Sequence, residues 1–515
     1  MKRALIAGVT VCGILFFDLP RINAEVRLPA IWSDHMVLQR DVPVRIGGRA
    51  APGEKVTVRF AGQEGRSKAG QDGTWHVELQ PFKTGGPFDL IVQGSNTVKI
   101  SNVLVGEVWF CSGQSNMALT VQSCANYSAE SAQAKYPAIR MFTARHVATE
   151  RSMVDNAGSW RSCYPDSVGN FSGTAYFFGR TIHKELNVPV GLIHSAWGGT
   201  PAQAWTPIAS LKADPALRCY LDEWEAALKV YPEKLQKHQA VMAKWQAQAE
   251  AAKAEGKEPP RKPRGPLGPG HPGMPGGLYN GMVVPFTGFP VRGAIWYQGE
   301  ANASQASLYQ RLLSRMIMDW RQAWGIPDMP FLIVQLPNIQ RGNFDPALPV
   351  EEENGWVLMR EAQYLTARTV PHAGLAVTID VGDPKEIHPK NKQDVGHRLA
   401  LAALAQVYGR NVEFSGPTYA GMVVEGSRIR IKFDHLGGGL VSKTGPKLKS
   451  FAVAPSEGDR WEAAEAVIDG DTVVVWHKDV ARPARVRYAW KGNPEVSLYN
   501  KAGLPAGPFR TDGEY

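Results

Sequence analysis

Hydrophobic and polar positions follow three different rhythms along the chain. From residue 25 to 100, apolar and polar residues alternate in "VPVRIGGRA", "KVTVRFAG", "TWHVELQ", "FDLIVQG" and "NTVKISNV", with "PGE", "GQDG" and "GS" between them. A period of two broken by turn formers predicts short antiparallel strands packed as a small sandwich. Residues 410–515 have the same character in "RIRIKFDH", "SFAVAP", "AVIDGDTVVVWH" and "ARVRYAW", which predicts a second β-sandwich region.

Between these flanks, over 101–409, solid apolar runs replace the alternation: "VLVGEVWF", "VPVGLIHSA", "VRGAIWYQG", "MPFLIVQLP" and "HAGLAVTIDVGD". Helical candidates separate several of them, notably "ANASQASLYQRLLSRMIMDWRQAW" and "LMREAQYLTARTV", whose apolar residues recur every three or four positions. "NKQDVGHRLALAALAQVYG" supplies a last helix. Strands alternating with helices predict an α/β domain with a mostly parallel sheet covered on both faces.

One insertion interrupts this rhythm at about 213–277. Residues 213–255 read as two charged helices with Pro232 near the break, and "KEPPRKPRGPLGPGHPGMPGG" follows from Lys257 to Gly277. That Pro/Gly content forbids regular structure. The expectation is a helical hairpin plus a long tether, either a bland surface excursion or a wall beside the site.

Composition changes this picture in three places. At 515 residues the chain needs more than one core. Lys2 and Arg3 precede an apolar run from Ala4 to Phe17, so residues 1–24 read as a signal peptide and predict a periplasmic or secreted protein. The run is too short to span a bilayer, and no later stretch is apolar enough to do so. Of the formal charge of +9, Lys2, Arg3 and Arg21 against Asp18 supply +2, and no dense basic run alternates with aromatics. Nucleic acid is therefore excluded as a partner. The cysteines show neither a disulfide framework nor a zinc spacing, and Cys111 reads as core.

Candidate chemistry lies where four apolar runs end in polar sequence: "CSGQSNM", "SAWGGTPAQAW", "QGEANA" and "DVGDPKEIHP". In open α/β sheets ligands bind at the carboxyl ends of strands. Ser115 there is either a helix cap or a nucleophile; "GQSN" is not the G-x-S-x-G elbow. A serine nucleophile needs a base, and His388 fits, with Asp380, Asp383 and Glu386 just before it. Acyl transfer also needs oxyanion donors, offered by the Ser115 amide, the Gly199 amide and the Gln298 side chain. Asn116 is read as orienting loops or meeting substrate, Glu300 as bracing loops through Arg292 or Arg360 or meeting substrate, and Arg360 as a substrate cation. Trp197, Trp205, Trp296 and Tyr297 are candidates for a sugar-facing wall or for simple packing. His194 reads as a packed structural residue, and His146 stands at background.

Together, "LPAIWSDHMVLQR", "VLVGEVWFCSGQSNM", "GLIHSAWGGTPAQAW", "IWYQGEAN" and "VTIDVGDPKEIHPKNKQDVGHRLAL" resemble the sialate O-acetylesterase-like branch of the SGNH hydrolases. The resemblance implies a flavodoxin-like SGNH domain with associated β-sandwiches, and removal of acetyl groups from sugar hydroxyls without metal or cofactor. It implies Ser115 as nucleophile, His388 as base, Gly199 as the second-block oxyanion glycine and Gln298 in the third block, where many SGNH enzymes carry Asn. One position departs: Lys385 stands where those enzymes place the Asp that holds the histidine. Asp383 is taken ahead of Glu386 for that role, with Asp380 as a structural carboxylate at the strand end.

The implied partners are an O-acetylated sugar, oligosaccharide or polysaccharide, and water. The substrate is sialate-like, or else an acetylated xylan, xyloglucan or pectin. A noncatalytic carbohydrate-binding protein is the reading from a different class.

Overall fold

A computed structural model describes residues 25–513 other than 342–344, 346, 353 and 459; the signal segment assigned to 1–24 lies outside the described residues. The central sheet is built from β1 (Thr97–Gly113), β2 (Tyr136–Thr143), β3 (Trp160–Cys163), β4 (Val190–Ala196), β5 (Gly293–Tyr297), β6 (Phe331–Val334) and β7 (Ala373–Ala376). Their spatial order is β7-β6-β5-β1-β4-β2-β3, all neighbours parallel except the antiparallel edge pair β2/β3. All five apolar runs singled out in the sequence lie in this sheet.

β1 is entirely buried from Val103 to Gly113, and successive side chains point to opposite faces. Trp109 meets Phe178 edge-on at 5.0 Å, on the face covered by helices Gly173–Leu186 and Lys392–Gln406. Phe110 meets Trp320 at 5.5 Å, on the face covered by helices Ala306–Trp324 and Gly355–Thr369. A strand covered on both faces has no polar side to show, which explains the unbroken apolar run. The pattern did not single out Gly173–Leu186, whose first seven residues are all buried, so that no polar face marks its period.

β1 also joins the chain's first region to the sheet. Its first half pairs antiparallel with Gly85–Gln93, which pairs in turn with Lys55–Phe60; its second half enters the parallel sheet. One 17-residue strand thus crosses the boundary drawn at residue 100. The last region forms two four-stranded antiparallel sheets with Ile429, Ile431, Val473 and Val475 against Phe451, Val453, Val486 and Tyr488.

The insertion departs from expectation. Cys219–Ala254 is one 36-residue helix that runs through Pro232, not a hairpin. A proline inside a helix removes one backbone bond at a cost of about 3 kcal/mol. The Pro/Gly-rich segment compensates by lying along the helix in the opposite sense. Trp245 Nε1 donates to Pro260 O at 2.8 Å, and Gly268 sits so close to the Tyr231 ring that a Cβ would come within 2.0 Å of it.

Candidate active site

Strand register brings three loops to one rim. Gly113 of β1 is paired with Ala196 of β4 on one side and Tyr297 of β5 on the other. Ser115, Gly198 and Gly299 each follow two residues later. The chain leaves β1 toward β4 on one side and later toward β5 on the other, so this rim is the topological switch point where α/β sheets bind ligands.

The turn itself requires glycine. Gly113 has φ 142°, and a Cβ there would lie 2.1 Å from Tyr297 O. Gln114 N then donates to Tyr297 O at 3.0 Å, and Ser115 opens the short helix Ser115–Ala118 half-buried at the rim. A Cβ on Gly198 would sit 3.4 Å from Ser115 Cβ, so the second loop lies directly against the serine. Gly199 has φ 73° and is exposed. Among the described residues no acceptor takes the Ser115 or Gly199 amide, which leaves both available to an oxyanion.

Asn116 joins this rim to the His388 loop. Its Nδ2 donates to Ile387 O at 2.9 Å and to Glu300 Oε1 at 2.6 Å, while its Oδ1 accepts from Lys392 Nζ at 2.8 Å. The neighbour of Ser115 is thus bonded to the neighbour of His388, although the two positions are 273 residues apart in the chain. Lys392 also donates to Pro389 O at 2.5 Å, holding the backbone on the other side of His388. Burial pushes the Lys392 ammonium down from 10.5 to about 8 and pushes the Glu300 carboxyl up; Glu300 Oε2 has no partner.

His388 is partly exposed, and burial lowers its imidazole below 6.5. Lys392 and Arg261 push it the same way, while Glu386 pulls it up. Glu386 Oε1 lies 3.3 Å from His388 Nδ1 and accepts from the His388 amide at 2.9 Å. Asp383, favoured from the sequence, instead accepts from the Lys385 and Glu386 amides at 2.7 and 3.2 Å, so it shapes the turn that presents Glu386. Asp380 pairs with Arg398 at 2.5 Å and accepts from Tyr499 at 3.1 Å. It is the structural carboxylate anticipated at the strand end.

Several sequence candidates are displaced from a substrate role by their own hydrogen bonds. Arg360 is fully buried, and its guanidinium donates to the carbonyls of Leu336, Pro337, Lys491 and Gly492 at 2.7–2.9 Å. It ties the last region to the core. Gln298 Nε2 donates to Asn302 Oδ1 at 2.8 Å and to Thr200 O at 3.2 Å, so neither hydrogen is left for an oxyanion. Asn116 is fully buried and saturated, and Glu300 braces the loops through Asn116 rather than through Arg292, which pairs with Glu107, or Arg360. Trp205, Trp296 and Tyr297 are fully buried core residues.

Trp197 alone of the aromatic candidates stays partly exposed, stacked on His146 at 4.4 Å and 9°. His146, passed over in the sequence, is fixed by Ala196 O at 3.0 Å and backs one face of the indole. Lys392 was missed too. Only its place four residues after His388, in "HPKNK", could have flagged it. His194 is buried with its pKa depressed to about 4, as a packed residue should be. Among the described residues no group of three His, Cys, Asp or Glu side chains could hold a metal, and no helix is long and apolar enough to cross a membrane.

A serine on a tight strand-to-helix turn, free amides beside it and a histidine on a neighbouring loop define a hydrolase-type rim on an α/β sheet. Residues 105–251 and 276–405 match the family model described as carbohydrate esterase, sialic acid-specific acetylesterase, and the chain belongs to that family. It is 31% identical to the sialate O-acetylesterase of Mus musculus, over 97% of each chain. It is 27% identical to that of Homo sapiens, over 98% of this chain and 96% of the other. A solved carbohydrate acetylesterase from Xanthomonas citri superposes with a TM-score of 0.79 at 33% identity, covering 95% of this chain and all of that one.

Proposed function

We propose that this carbohydrate esterase removes O-acetyl groups from sialic acids through an acyl-enzyme on Ser115. The observation that carries the reading is the Asn116 side chain, which bonds the backbone beside His388 to the turn bearing Ser115. In this mechanism Ser115 Oγ attacks the acetyl carbonyl carbon while His388 takes its proton. The oxyanion meets the Ser115 and Gly199 amides, each worth about 3 kcal/mol in comparable sites. The bond from carbonyl carbon to sugar oxygen then breaks, and His388 returns the proton to that oxygen. Water, deprotonated by the same imidazole, attacks the acyl carbon and frees acetate. Glu386 is the carboxylate that orients His388, supported by its 3.3 Å approach to Nδ1.

Sialate as substrate is supported by the names of the mouse and human relatives; the Xanthomonas relative is named only for carbohydrate. Export is supported by the leader read in residues 1–24, and the amino-terminal sequence of the mature protein checks it. The deciding experiment is acetate release from 9-O-acetyl-N-acetylneuraminate, O-acetylated xylo-oligosaccharides and xyloglucan fragments. Ser115→Ala and His388→Ala should each lose at least about a thousandfold in kcat with circular dichroism unchanged. Serine-independent release would end the acyl-enzyme reading, and release from the xylan or xyloglucan substrates alone would end the sialate one.

A further inference from the structure

The Pro/Gly-rich segment 257–277 does more than return the chain from the long helix. All but its last two residues lie in the interval 252–275 that the family match leaves out. Its course is fixed at both ends. Trp245 Nε1 holds Pro260 O at 2.8 Å with Lys262 Nζ 5.8 Å over the same ring, while Gly276 N donates to Gln203 O and Gly277 O accepts from Thr149 N. Between those anchors its prolines stiffen an extended strap.

The strap carries two arginines to the rim. A Cβ on Gly199 would lie 3.0 and 3.2 Å from the two terminal nitrogens of Arg264, so that guanidinium covers the loop offering the oxyanion amide. Arg261 lies near enough to His388 to disfavour its protonation. The two cations therefore flank the nucleophile's rim from the Gly199 side and the His388 side. Both are exposed. Among the described residues neither makes a hydrogen bond or an ion pair, and Glu386, the carboxylate beside His388, pairs with neither. Exposed arginines with nothing to neutralise them, on a strap anchored at both ends, form a forked donor surface suited to a carboxylate.

We propose that Arg261 and Arg264 form a subsite for the carboxylate of an acidic O-acetylated sugar, selecting it over neutral acetylated sugars. This deepens the sialate reading and rests on it for the identity of the sugar, not for the carboxylate. An acetyl-bearing carbon near Ser115 then requires the sugar's acid group to lie toward the strap. The Trp197 ring, on the same loop as Gly199 and backed by the stacked His146 ring, offers the sugar an apolar face.

The test compares kcat/KM on 9-O-acetyl-N-acetylneuraminic acid with that on its methyl ester, which keeps shape and loses charge. The full chain is used, with Arg261→Gln, Arg264→Gln and the double variant. Taking the ratio cancels any general loss of activity. The wild-type ratio should exceed about tenfold and decline with added salt, and the double variant should bring it close to one, chiefly through KM. A wild-type ratio near one, or a ratio the double variant leaves unchanged, overturns the subsite. If neither sialate form is hydrolysed, the sialate reading fails by itself. The same acid-to-ester ratio measured on O-acetylated galacturonic acid then decides the subsite by the same two criteria.

Discussion

The two ends of the parallel part of β1, from Glu107 to Gly113, each lie beside a buried carboxylate with cations or amides around it, and the two are served differently. At the lower end Glu107 is fully buried and completely served: Arg40 at 2.5 Å, Arg292 at 2.9 Å, and Gln39 Nε2 and the Tyr408 hydroxyl at 3.1 Å. These partners come from the amino-terminal region, the start of β5 and the loop after the last helix, so the cluster clamps three parts of the chain. At the upper end Glu300 shares one oxygen with Asn116 and leaves the other unpartnered, while Lys392 is buried with its ammonium destabilised to about 8. A fully satisfied buried network stabilises; a partly satisfied one costs free energy and persists where its geometry is used. The lower cluster holds the fold, and the upper one sets the spacing between the Ser115 turn and the His388 loop.

Breaking each cluster should therefore produce opposite signatures. The largest effect is expected from Glu107→Ala, which leaves two half-buried guanidiniums without their carboxylate and Gln39 and Tyr408 without their acceptor, and should cost about 3 kcal/mol of stability. Its kcat/KM per folded molecule should stay within about twofold of wild type, checked by denaturant titration beside active-site-normalised kinetics. Lys392→Met should behave in reverse. Replacing a buried cation with an apolar chain of similar length should leave the unfolding midpoint little changed near pH 7, while kcat falls about a hundredfold as the His388 loop shifts. Equal losses of stability and turnover in both variants would erase the distinction.

A smaller effect follows from protonation. The Lys392 ammonium is depressed from 10.5 to about 8 by burial, so between those values the unfolded chain binds more protons than the folded one. Its contribution to stability is complete above pH 10.5 and is lost as pH falls through 8. Wild type should thus gain thermal stability relative to Lys392→Met between pH 7.5 and 10, measured by calorimetry. The smallest change concerns His388. Burial, with Lys392 and Arg261, lowers its pKa, so the acid limb of kcat/KM should fall below pH 6.5. Glu386 opposes that shift, and Glu386→Gln should move the limb lower still.

Much of this was legible in the sequence because burial writes itself as apolar runs. The five central strands, the polar exits at their ends, and the serine and histidine on two of those exits follow from pattern and spacing. What the sequence hides is how each polar group spends its hydrogen bonds. Asn116 finds Glu300 and Lys392 at separations of 184 and 276 residues, and Arg360 finds carbonyls 131 and 132 residues away. Gln298 reads as a free amide in "WYQGEAN" until Asn302 and Thr200 are seen to take both hydrogens. Helix continuity through Pro232 was hidden for a related reason, since the strap that lies along it is distant and irregular.

The continuity of β1 has an engineering consequence. Because one ladder runs from the amino-terminal sheet to the nucleophile's turn, there is no flexible joint at residue 100 to cut. A shortened protein starting there would begin inside a strand and forfeit Arg40, whereas a cargo fused ahead of residue 25 would join the amino-terminal strands and leave β1 whole.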